Sequence, residues 1–209
     1  MAEDDGKTLK KVGVMGGTFD PIHLGHLVAA SEVLHSFELD RVLFMPAGDP
    51  WQKTSETAAE DRFMMTTLAI AGFSAFAASR LELDRKGPTY TADSFETLRE
   101  FYGPEVQFFL IAGADAVLNL STWKKLDHLR ELVEVIAVSR PGSDLSSLQL
   151  SEGLPVVHVK EMPGIDVSAT GIRERVRLGE PIDFLVPMEV VRYIRAHGLY
   201  TEAATERSA

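Results

Sequence analysis

The chain has no cysteine among its 209 residues, and this absence removes several chemistries at once. A protein without thiols has no disulfide framework, no thiolate nucleophile and no cysteine ligands for a metal. An excess of basic residues is also missing, because 31 acidic residues outnumber 21 basic ones and give a formal net charge of -10. Proteins that bind nucleic acid by neutralising its backbone are usually basic, so a nucleic-acid polymer is not the expected partner.

Long apolar segments are absent as well. The longest candidate, residues 67–79, is rich in alanine and too short to span a bilayer. The first residues lack the basic and apolar regions of a signal peptide, so we expect a cytoplasmic protein without a membrane anchor. A single domain is expected over residues 9–200, with residues 1–8 and 201–209 as polar, flexible tails. The sequence leaves the oligomeric state open, and a homo-oligomer is compatible with it.

Apolar segments of strand length alternate with amphipathic segments along the chain. This alternation predicts an α/β fold, namely a Rossmann-like, doubly wound parallel sheet in a single domain. The predicted strands are residues 12–15, 41–45, 76–83, 106–112, 133–138 and 156–159. The predicted helices are residues 24–34, 60–71, 91–102, 170–178 and 188–197.

The loop after the first predicted strand is the first candidate site, because ligands of such folds bind beyond the carboxyl ends of the strands. Gly16 and Gly17 allow a ligand to approach the backbone closely, although a plain tight turn explains the pair equally well. The loop has neither the GxGxxG pattern of dinucleotide-binding folds nor the Gly-Lys-Ser/Thr of a P-loop.

Two histidines follow this loop. His23 and His26 have the i, i+3 spacing that puts both rings on one face of a helix, and Gly25 between them leaves space. At a helix N-terminus they predict an anion site, where a phosphate receives imidazole and backbone N–H donors. A lone histidine is more often a structural hydrogen-bonding residue, and a metal pair is the weaker interpretation because no third ligand stands nearby.

A second motif lies near the other end of the chain, where Ser168, Thr170 and Arg173 stand at the predicted start of a helix. Serine and threonine are natural N-cap residues, so helix capping explains part of the pattern. Residues 168–179 nevertheless carry a net charge of +2, from three arginines against one glutamate, within an acidic chain. Together these groups predict a clamp for a polyphosphate. The other arginines of this helix are expected to form a solvated basic face: Arg175 and Arg177.

Both motifs resemble known signatures. Residues 16–21, Gly-Gly-Thr-Phe-Asp-Pro, followed by His23-Leu24-Gly25-His26, resemble the HxGH signature of the nucleotidyltransferase α/β phosphodiesterase superfamily. Residues 168–173, Ser-Ala-Thr-Gly-Ile-Arg, resemble its SxTxxR signature. Within the superfamily, residues 11–200 are most similar to bacterial nicotinate-nucleotide adenylyltransferases. Further similarities are Pro88-Thr89-Tyr90-Thr91, Gly113-Ala114-Asp115 with Trp123, Arg140-Pro141-Gly142, and the ending from Tyr193-Ile194 to Leu199-Tyr200.

The resemblance implies an enzyme of NAD biosynthesis that uses ATP and nicotinate mononucleotide. AMP would be transferred from ATP to the mononucleotide to give deamido-NAD and pyrophosphate, with Mg²⁺ bound to phosphate oxygens rather than in a protein cage. By resemblance the catalytic residues are His23, His26 and Arg173. The implied ATP-binding residues are Gly16, Gly17, Thr18, Phe19, Gly25, Gly113, Asp115, Ser168 and Thr170. The implied pyridine-nucleotide residues are Lys53, Thr91, Trp123 and Arg140, with Trp123 stacking on the ring and Thr91 receiving the carboxylate.

The resemblance has departures and rivals. The family often has Pro-Pro-His-Lys or Pro-Pro-His-Arg after the second strand, whereas this chain has Pro50-Trp51-Gln52-Lys53, and only Lys53 carries over. The sister phosphopantetheine adenylyltransferases are usually shorter and have Thr-x-Gly-His, so His23 and Trp123 weigh against that activity. A non-catalytic nucleotide sensor on the same fold is the third hypothesis, and it would be expected to lose part of a signature. The sequence leaves open whether the enzyme prefers nicotinate mononucleotide or nicotinamide mononucleotide.

Overall fold

The computed structural model describes residues 9–48, 55–87, 89–139 and 153–201. Within these ranges, six parallel strands form one sheet in the order β3-β2-β1-β4-β5-β6. This order confirms the predicted Rossmann-like, doubly wound α/β fold. The strands are β1 (Lys11–Gly17), β2 (Arg41–Pro46), β3 (Phe76–Ala78), β4 (Gln107–Gly113), β5 (Val133–Ser139) and β6 (Val157–Glu161). The described helices are α1 (Leu24–Ser36), α2 (Ala59–Ile70), α3 (Thr91–Tyr102), α4 (Ala114–Leu118), α5 (Leu126–Leu132), α6 (Ala169–Arg177) and α7 (Met188–His197), with a 3-10 turn at Leu120–Thr122.

Helices cover both faces of the sheet because successive side chains of each strand point to opposite sides. In β1, Met15 packs in the core formed with α1, α2, α6 and α7, whereas Val12 and Val14 pack in the core formed with α3, α4 and α5. A strand buried on both sides has no solvated face, which explains the almost wholly apolar sequence of β4.

The strand order places the topological switch point between β1 and β4. From β1 the chain enters α1 on one face of the sheet, and from β4 it enters α4 on the other. The two strands pair in register, with Met15 opposite Ile111, so Gly17 and Gly113 end at the same edge. Diverging helices leave a crevice at this edge, which is where such folds bind ligands.

The predicted strand at residues 76–83 is wrong in its extent. β3 has only three residues, and the chain turns away after Ser79, whose N–H donates to the Phe44 carbonyl at 2.8 Å. The next turn closes through Arg80, whose carbonyl accepts from the N–H of Asp84 at 2.9 Å. A local turn therefore takes the place of the second half of the predicted strand. The short helices α4 and α5 were not predicted, because five and seven residues carry too few repeats of the 3.6-residue pattern.

Residues 1–8 and 202–209, which include nearly all of the predicted tails, lie outside the described residues. The same holds for residues 140–152. In the part of the chain that the structure describes, no helix combines the length and the apolar character needed to cross a membrane.

Candidate active site

The first loop leaves β1 through two glycines that serve different purposes. A side chain at Gly17 would lie 3.2 Å from the ring of Phe19, whereas the space beside Gly16 is open. Phe19 adopts a left-handed backbone conformation, with φ of 51°, and its ring is buried. Gly16 therefore exposes backbone to a ligand, while Gly17 makes room for the buried ring. The Phe19 ring is itself buried and packs against the ring of His26.

The two histidines begin α1 and stack on each other. His23 is the N-cap residue in extended conformation, and its ring centroid lies 3.7 Å from that of His26, with 24° between the planes. Nδ1 of His26 accepts the backbone N–H of His23 at 3.2 Å, which puts the proton of a neutral His26 ring on Nε2. The edge of Phe19 contacts His26 at 5.0 Å between centroids. The backbone and two rings thus orient His26 as a donor through Nε2.

The two signatures meet in space. A side chain at Gly25 would lie 3.1 Å from the His23 ring and 3.2 Å from the side chain of Val167. Val167 precedes Ser168, which caps α6 by accepting the N–H of Gly171 at 3.1 Å through its hydroxyl. A side chain between the start of α1 and the approach to α6 would force its neighbours to shift by a few tenths of an ångström, which gives Gly25 a packing reason.

Arg173 connects the second signature to the first loop. Its guanidinium donates to the carbonyl of Asp20 at 2.8 Å, to Glu56 at 2.8 Å and, more weakly, to the Thr170 hydroxyl at 3.4 Å. Glu56 also pairs with Arg177, so the expectation of a solvated Arg177 is wrong. The pairing arises because the segment before α2 packs against α6, a contact between residues distant in sequence. Nothing in the local sequence around Glu56 signals this role.

A buried carboxylate lies directly behind these groups. Asp20 is 3% exposed and accepts three donors: the N–H of Glu56 at 2.7 Å, the hydroxyl of Thr57 at 2.6 Å and the hydroxyl of Tyr200 at 2.6 Å. A buried carboxylate with several donors is well compensated for its lost hydration. Asp20 and Tyr200 belong to the matched sequence segments, but sequence reasoning gave neither a role.

Arg62 is a second buried charge that sequence reasoning missed. It is 1% exposed and donates to the carbonyls of Thr18 at 2.9 Å and Gly48 at 3.3 Å, joining the loops after β1 and β2. Burial lowers the pKa of Arg62, while the negative charge of Asp20 acts in the opposite direction. The burial of Arg62, though not its partners, could have been predicted, because Arg62 stands at i−3 from Met65 on the apolar face of an amphipathic helix.

The residues predicted for the pyridine ring lie on the other face of the sheet. Thr91 is the first residue of α3, and Trp123 follows the 3-10 turn, half-buried against the core. Between them, Nζ of Lys125 lies 2.6 Å from a carboxylate oxygen of Asp93 and 5.6 Å from the ring centroid of Tyr90. This bridge ties the start of α3 to the segment that carries Trp123.

Glu82 supports the start of α3 from a half-buried position. Its carboxylate accepts the hydroxyl of Ser94 at 2.9 Å. Burial raises the pKa of Glu82 above its usual value, and hydrogen bonds from Ser94 and Thr89 together with the charge of Arg85 partly oppose the rise. The backbone of Glu82 also passes so close to Gly48 that a side chain there would lie 2.2 Å from the Glu82 carbonyl oxygen.

The remaining predicted residues are less informative. Gly113 ends β4 and Asp115 opens α4, and both are exposed at the crevice edge. Lys53, Arg140 and the altered Trp51-Gln52 segment lie outside the described residues. Among the residues that are described, no three His, Asp or Glu side chains converge as a metal cage would require.

Comparisons with known proteins agree with this geometry. A family model described as Cytidylyltransferase-like matches residues 14–175. A relative from Saccharopolyspora erythraea is 50% identical over 91% of this chain and 90% of its own. Another from Leifsonia xyli subsp. xyli is 49% identical over 95% and 98%. Both carry the name nicotinate-nucleotide adenylyltransferase. Plasmodium falciparum nicotinic acid mononucleotide adenylyltransferase, solved with NaAD, has a TM-score of 0.75 at 20% identity over 91% of this chain and 97% of that one, which shows the shared fold.

Proposed function

The chain belongs to the nicotinate-nucleotide adenylyltransferases, and from that membership we propose how its residues transfer AMP from ATP to nicotinate mononucleotide. The products are deamido-NAD and pyrophosphate. The observation that carries the proposal is the meeting of the two signatures, in which Arg173 donates to the carbonyl of Asp20, 153 positions away. Imidazole, hydroxyl, guanidinium and helix N–H donors thereby face one crevice at the switch point.

The chemistry needs no covalent enzyme intermediate. A 5′-phosphate oxygen of the mononucleotide attacks the α-phosphorus of ATP, and the bond from that phosphorus to the pyrophosphate oxygen breaks on the opposite side. Positioning and charge stabilisation are then the main tasks of the protein. The Nε2–H of His26 donates to the α-phosphate as negative charge develops. His23 keeps the ring of His26 in place by stacking and by the hydrogen bond from its backbone N–H.

The second signature serves the leaving group. Ser168 and Thr170 open α6 beside the exposed N–H groups of its first turn, and Arg173 follows one turn later. These donors suit the β- and γ-phosphates and the departing pyrophosphate. Glu56 and the Asp20 carbonyl hold the guanidinium of Arg173, and its further N–H groups are the proposed donors to phosphate oxygens.

Mg²⁺ fits this site as a companion of ATP. Mg²⁺ keeps several waters and prefers substrate phosphates to all-protein cages, and the described residues provide donors rather than a ring of carboxylates. When bound, the ion neutralises phosphate charge and favours the pyrophosphate leaving group. The chain's own residues orient the phosphates through backbone N–H groups at Gly16 and through the side chains of His26 and Arg173.

For the mononucleotide, Trp123 stacks on the pyridine ring and the N-terminus of α3 at Thr91 receives the carboxylate. Free N–H groups and the helix dipole at that end favour an anion over a neutral amide. Lys53 and Arg140 are proposed contacts to this nucleotide on the family pattern alone. Use of ATP as co-substrate supports a cytoplasmic location.

The decisive assay measures pyrophosphate release with ATP and Mg²⁺ against three acceptors in parallel. Nicotinate mononucleotide is expected to be the preferred acceptor, nicotinamide mononucleotide a weaker one, and phosphopantetheine inactive. Turnover with phosphopantetheine alone would assign the chain to the sister activity. ATP binding without turnover on any acceptor would indicate a sensor. Omission of Mg²⁺ with excess chelator is expected to abolish release, which tests the metal requirement.

A further inference from the structure

The Tyr200 hydroxyl donates a buried hydrogen bond to the Asp20 carboxylate, close to the proposed active site. We propose that both are positioning residues for AMP transfer: the Tyr200 hydroxyl holds the Asp20 carboxylate, and Asp20 in turn fixes the two groups that orient Arg173. The proposal rests on the role proposed for Arg173 at the triphosphate.

Asp20 controls both close partners of the Arg173 guanidinium. One partner is the carbonyl of Asp20 itself, at 2.8 Å. The other is the carboxylate of Glu56, at 2.8 Å, and the backbone N–H of Glu56 donates to the Asp20 carboxylate at 2.7 Å. A shift of Asp20 therefore moves both ends of the hydrogen-bonded frame that holds Arg173.

Three donors hold the Asp20 carboxylate, and they come from two distant parts of the chain. The N–H of Glu56 and the hydroxyl of Thr57 belong to the segment before α2, whereas Tyr200 follows α7 near the end of the described chain. Tyr200 is 3% exposed and lies 180 positions from Asp20. Its ring packs in the apolar core, and its hydroxyl donates to the Asp20 carboxylate.

The placement of Asp20 explains why this hydroxyl matters for catalysis and not only for packing. Asp20 follows Phe19, whose ring contacts His26, and precedes the turn into α1. The Arg62 guanidinium donates to the carbonyl of Thr18 at 2.9 Å. The loop that opens the first signature is thus fixed by Arg62 at Thr18 and by the hydrogen bonds of the Asp20 carboxylate, one of which comes from Tyr200.

The chain offers a matched control for removal of one tyrosine hydroxyl. Tyr193 in α7 donates to a carboxylate oxygen of Asp61 at 2.8 Å, a contact of the same chemistry that touches neither signature. Tyr200→Phe and Tyr193→Phe each delete one hydroxyl that is bonded to a carboxylate. Thr57→Val removes a second donor to Asp20, and Thr57→Ser keeps it.

The experiment measures kcat, both KM values and the melting temperature of these variants. We expect Tyr200→Phe and Thr57→Val to lower kcat about tenfold, a fraction of the roughly hundredfold loss that a misplacement of about 1 Å causes. The KM for nicotinate mononucleotide is expected to stay unchanged, and Thr57→Ser and Tyr193→Phe to keep the parent kcat. A purely structural role predicts that Tyr200→Phe and Thr57→Val lower the melting temperature but keep the parent kcat, and that result would overturn the proposal.

A separate variant distinguishes this proposal from its premise. Arg173→Ala is expected to lower turnover far more than Tyr200→Phe does. If Arg173→Ala leaves turnover intact, the proposed role of Arg173 is wrong and the positioning role falls with it. If Arg173→Ala abolishes turnover while Tyr200→Phe and Thr57→Val keep the parent rate, the positioning role alone is wrong. Should Tyr200→Phe fail to fold, Thr57→Val against Thr57→Ser gives the same comparison.

Discussion

At the scale of single residues, the proposed site depends on side chains that their neighbours hold in a fixed orientation. His26 accepts a backbone N–H on Nδ1, so a neutral ring carries its proton on Nε2. Its ring is held between His23 and Phe19, so little rotation remains. A donor fixed in this way is worth more to a developing charge than a mobile one, because it needs no reorganisation during the reaction.

His26→Ala is therefore expected to lower kcat by about 100- to 1000-fold, as loss of one preorganised donor to a transition-state charge does. ATP affinity should change by less than about tenfold, since transition-state contacts contribute little to ground-state binding. Single-turnover rates and ATP titration of the same preparation check both quantities. His35→Ala, at an exposed position of the same helix, is the control. A defect confined to ATP binding would refute the transition-state role.

Trp123→Ala is expected to raise the KM for nicotinate mononucleotide by about tenfold or more, because stacking of a base on an aromatic ring is worth roughly 1–3 kcal/mol. The KM for ATP should stay within about twofold of the parent value, since the ATP donors belong to other loops. Steady-state kinetics with each substrate varied in turn provides the measurement. Phe101→Ala, a 56% exposed aromatic on α3, controls for general loss of apolar surface. Equal weakening of both substrates contradicts the stacking assignment.

At the scale of elements, the loops of the site are joined by backbone contacts as much as by side chains. The loop after β2 passes the residues after β3 closely enough that Gly48 has no room for a side chain beside the Glu82 carbonyl. Arg62 of α2 holds the carbonyl of Gly48 from the opposite side. These contacts hold the start of the segment that leads to Lys53, so their loss is expected to disturb the nucleotide site as well as the fold.

Gly48→Ala should reduce the free energy of unfolding by about 1–3 kcal/mol, the usual cost of forcing atoms into a filled space. The added methyl would stand 2.2 Å from a backbone oxygen, so relief requires a shift of main chain rather than of a flexible side chain. Urea denaturation measures the difference. Gly72→Ala is the matched control, because nothing lies within 4 Å of the added methyl and no positive φ is involved. Equal stability of the two variants would show that the 48–82 contact is loose.

At the scale of the whole molecule, the net charge of -10 and a polyphosphate substrate are compatible because charge acts locally in the crevice. The arginines nearest the signatures are paired, Arg173 and Arg177 with Glu56. A small ligand needs a few fixed donors and a bound cation, whereas a polymer would need a broad basic surface. Acidic residues elsewhere then contribute to solubility without opposing the bound nucleotide strongly, because salt screens exposed charges beyond about 8–10 Å.

The stability of the whole domain should carry a pH signature from Glu82. Its pKa is raised from 4.5 by burial, so its protonated form is favoured in the folded state. That contribution is fully present below pH 4.5 and is lost as the pH rises through the raised value. The parent protein should therefore lose stability relative to Glu82→Gln as the pH rises above 4.5 and through the raised pKa. Chemical denaturation at pH values on both sides of 4.5 checks the trend, with Glu100→Gln at an exposed position of α3 as control. A stability difference that is independent of pH would contradict the assignment.

Much of the fold and part of the site could be predicted from local sequence. The bounds of α3 were predicted to the residue, because its apolar positions recur with a helical period and Gly103 follows its last turn. β3 was predicted too long, because the apolar residues after Ala78 did not reveal a turn closed by Arg80 and Asp84. The pairs at Glu56, Arg62 and Tyr200 could not be predicted, since each depends on segments that meet only after folding.

The sequence by itself determined the family, the strand–helix alternation and the two signatures, because each of these depends on adjacent residues or on fixed spacings. Tertiary structure alone decided that Arg173 would lie against the first loop and that Glu56 would occupy its guanidinium. It also decided that Asp20 would be held by a tyrosine from the other end of the chain. The physical reason is that hydrogen bonds and ion pairs of buried groups depend on which elements pack together, and the sheet order sets that packing over the whole chain.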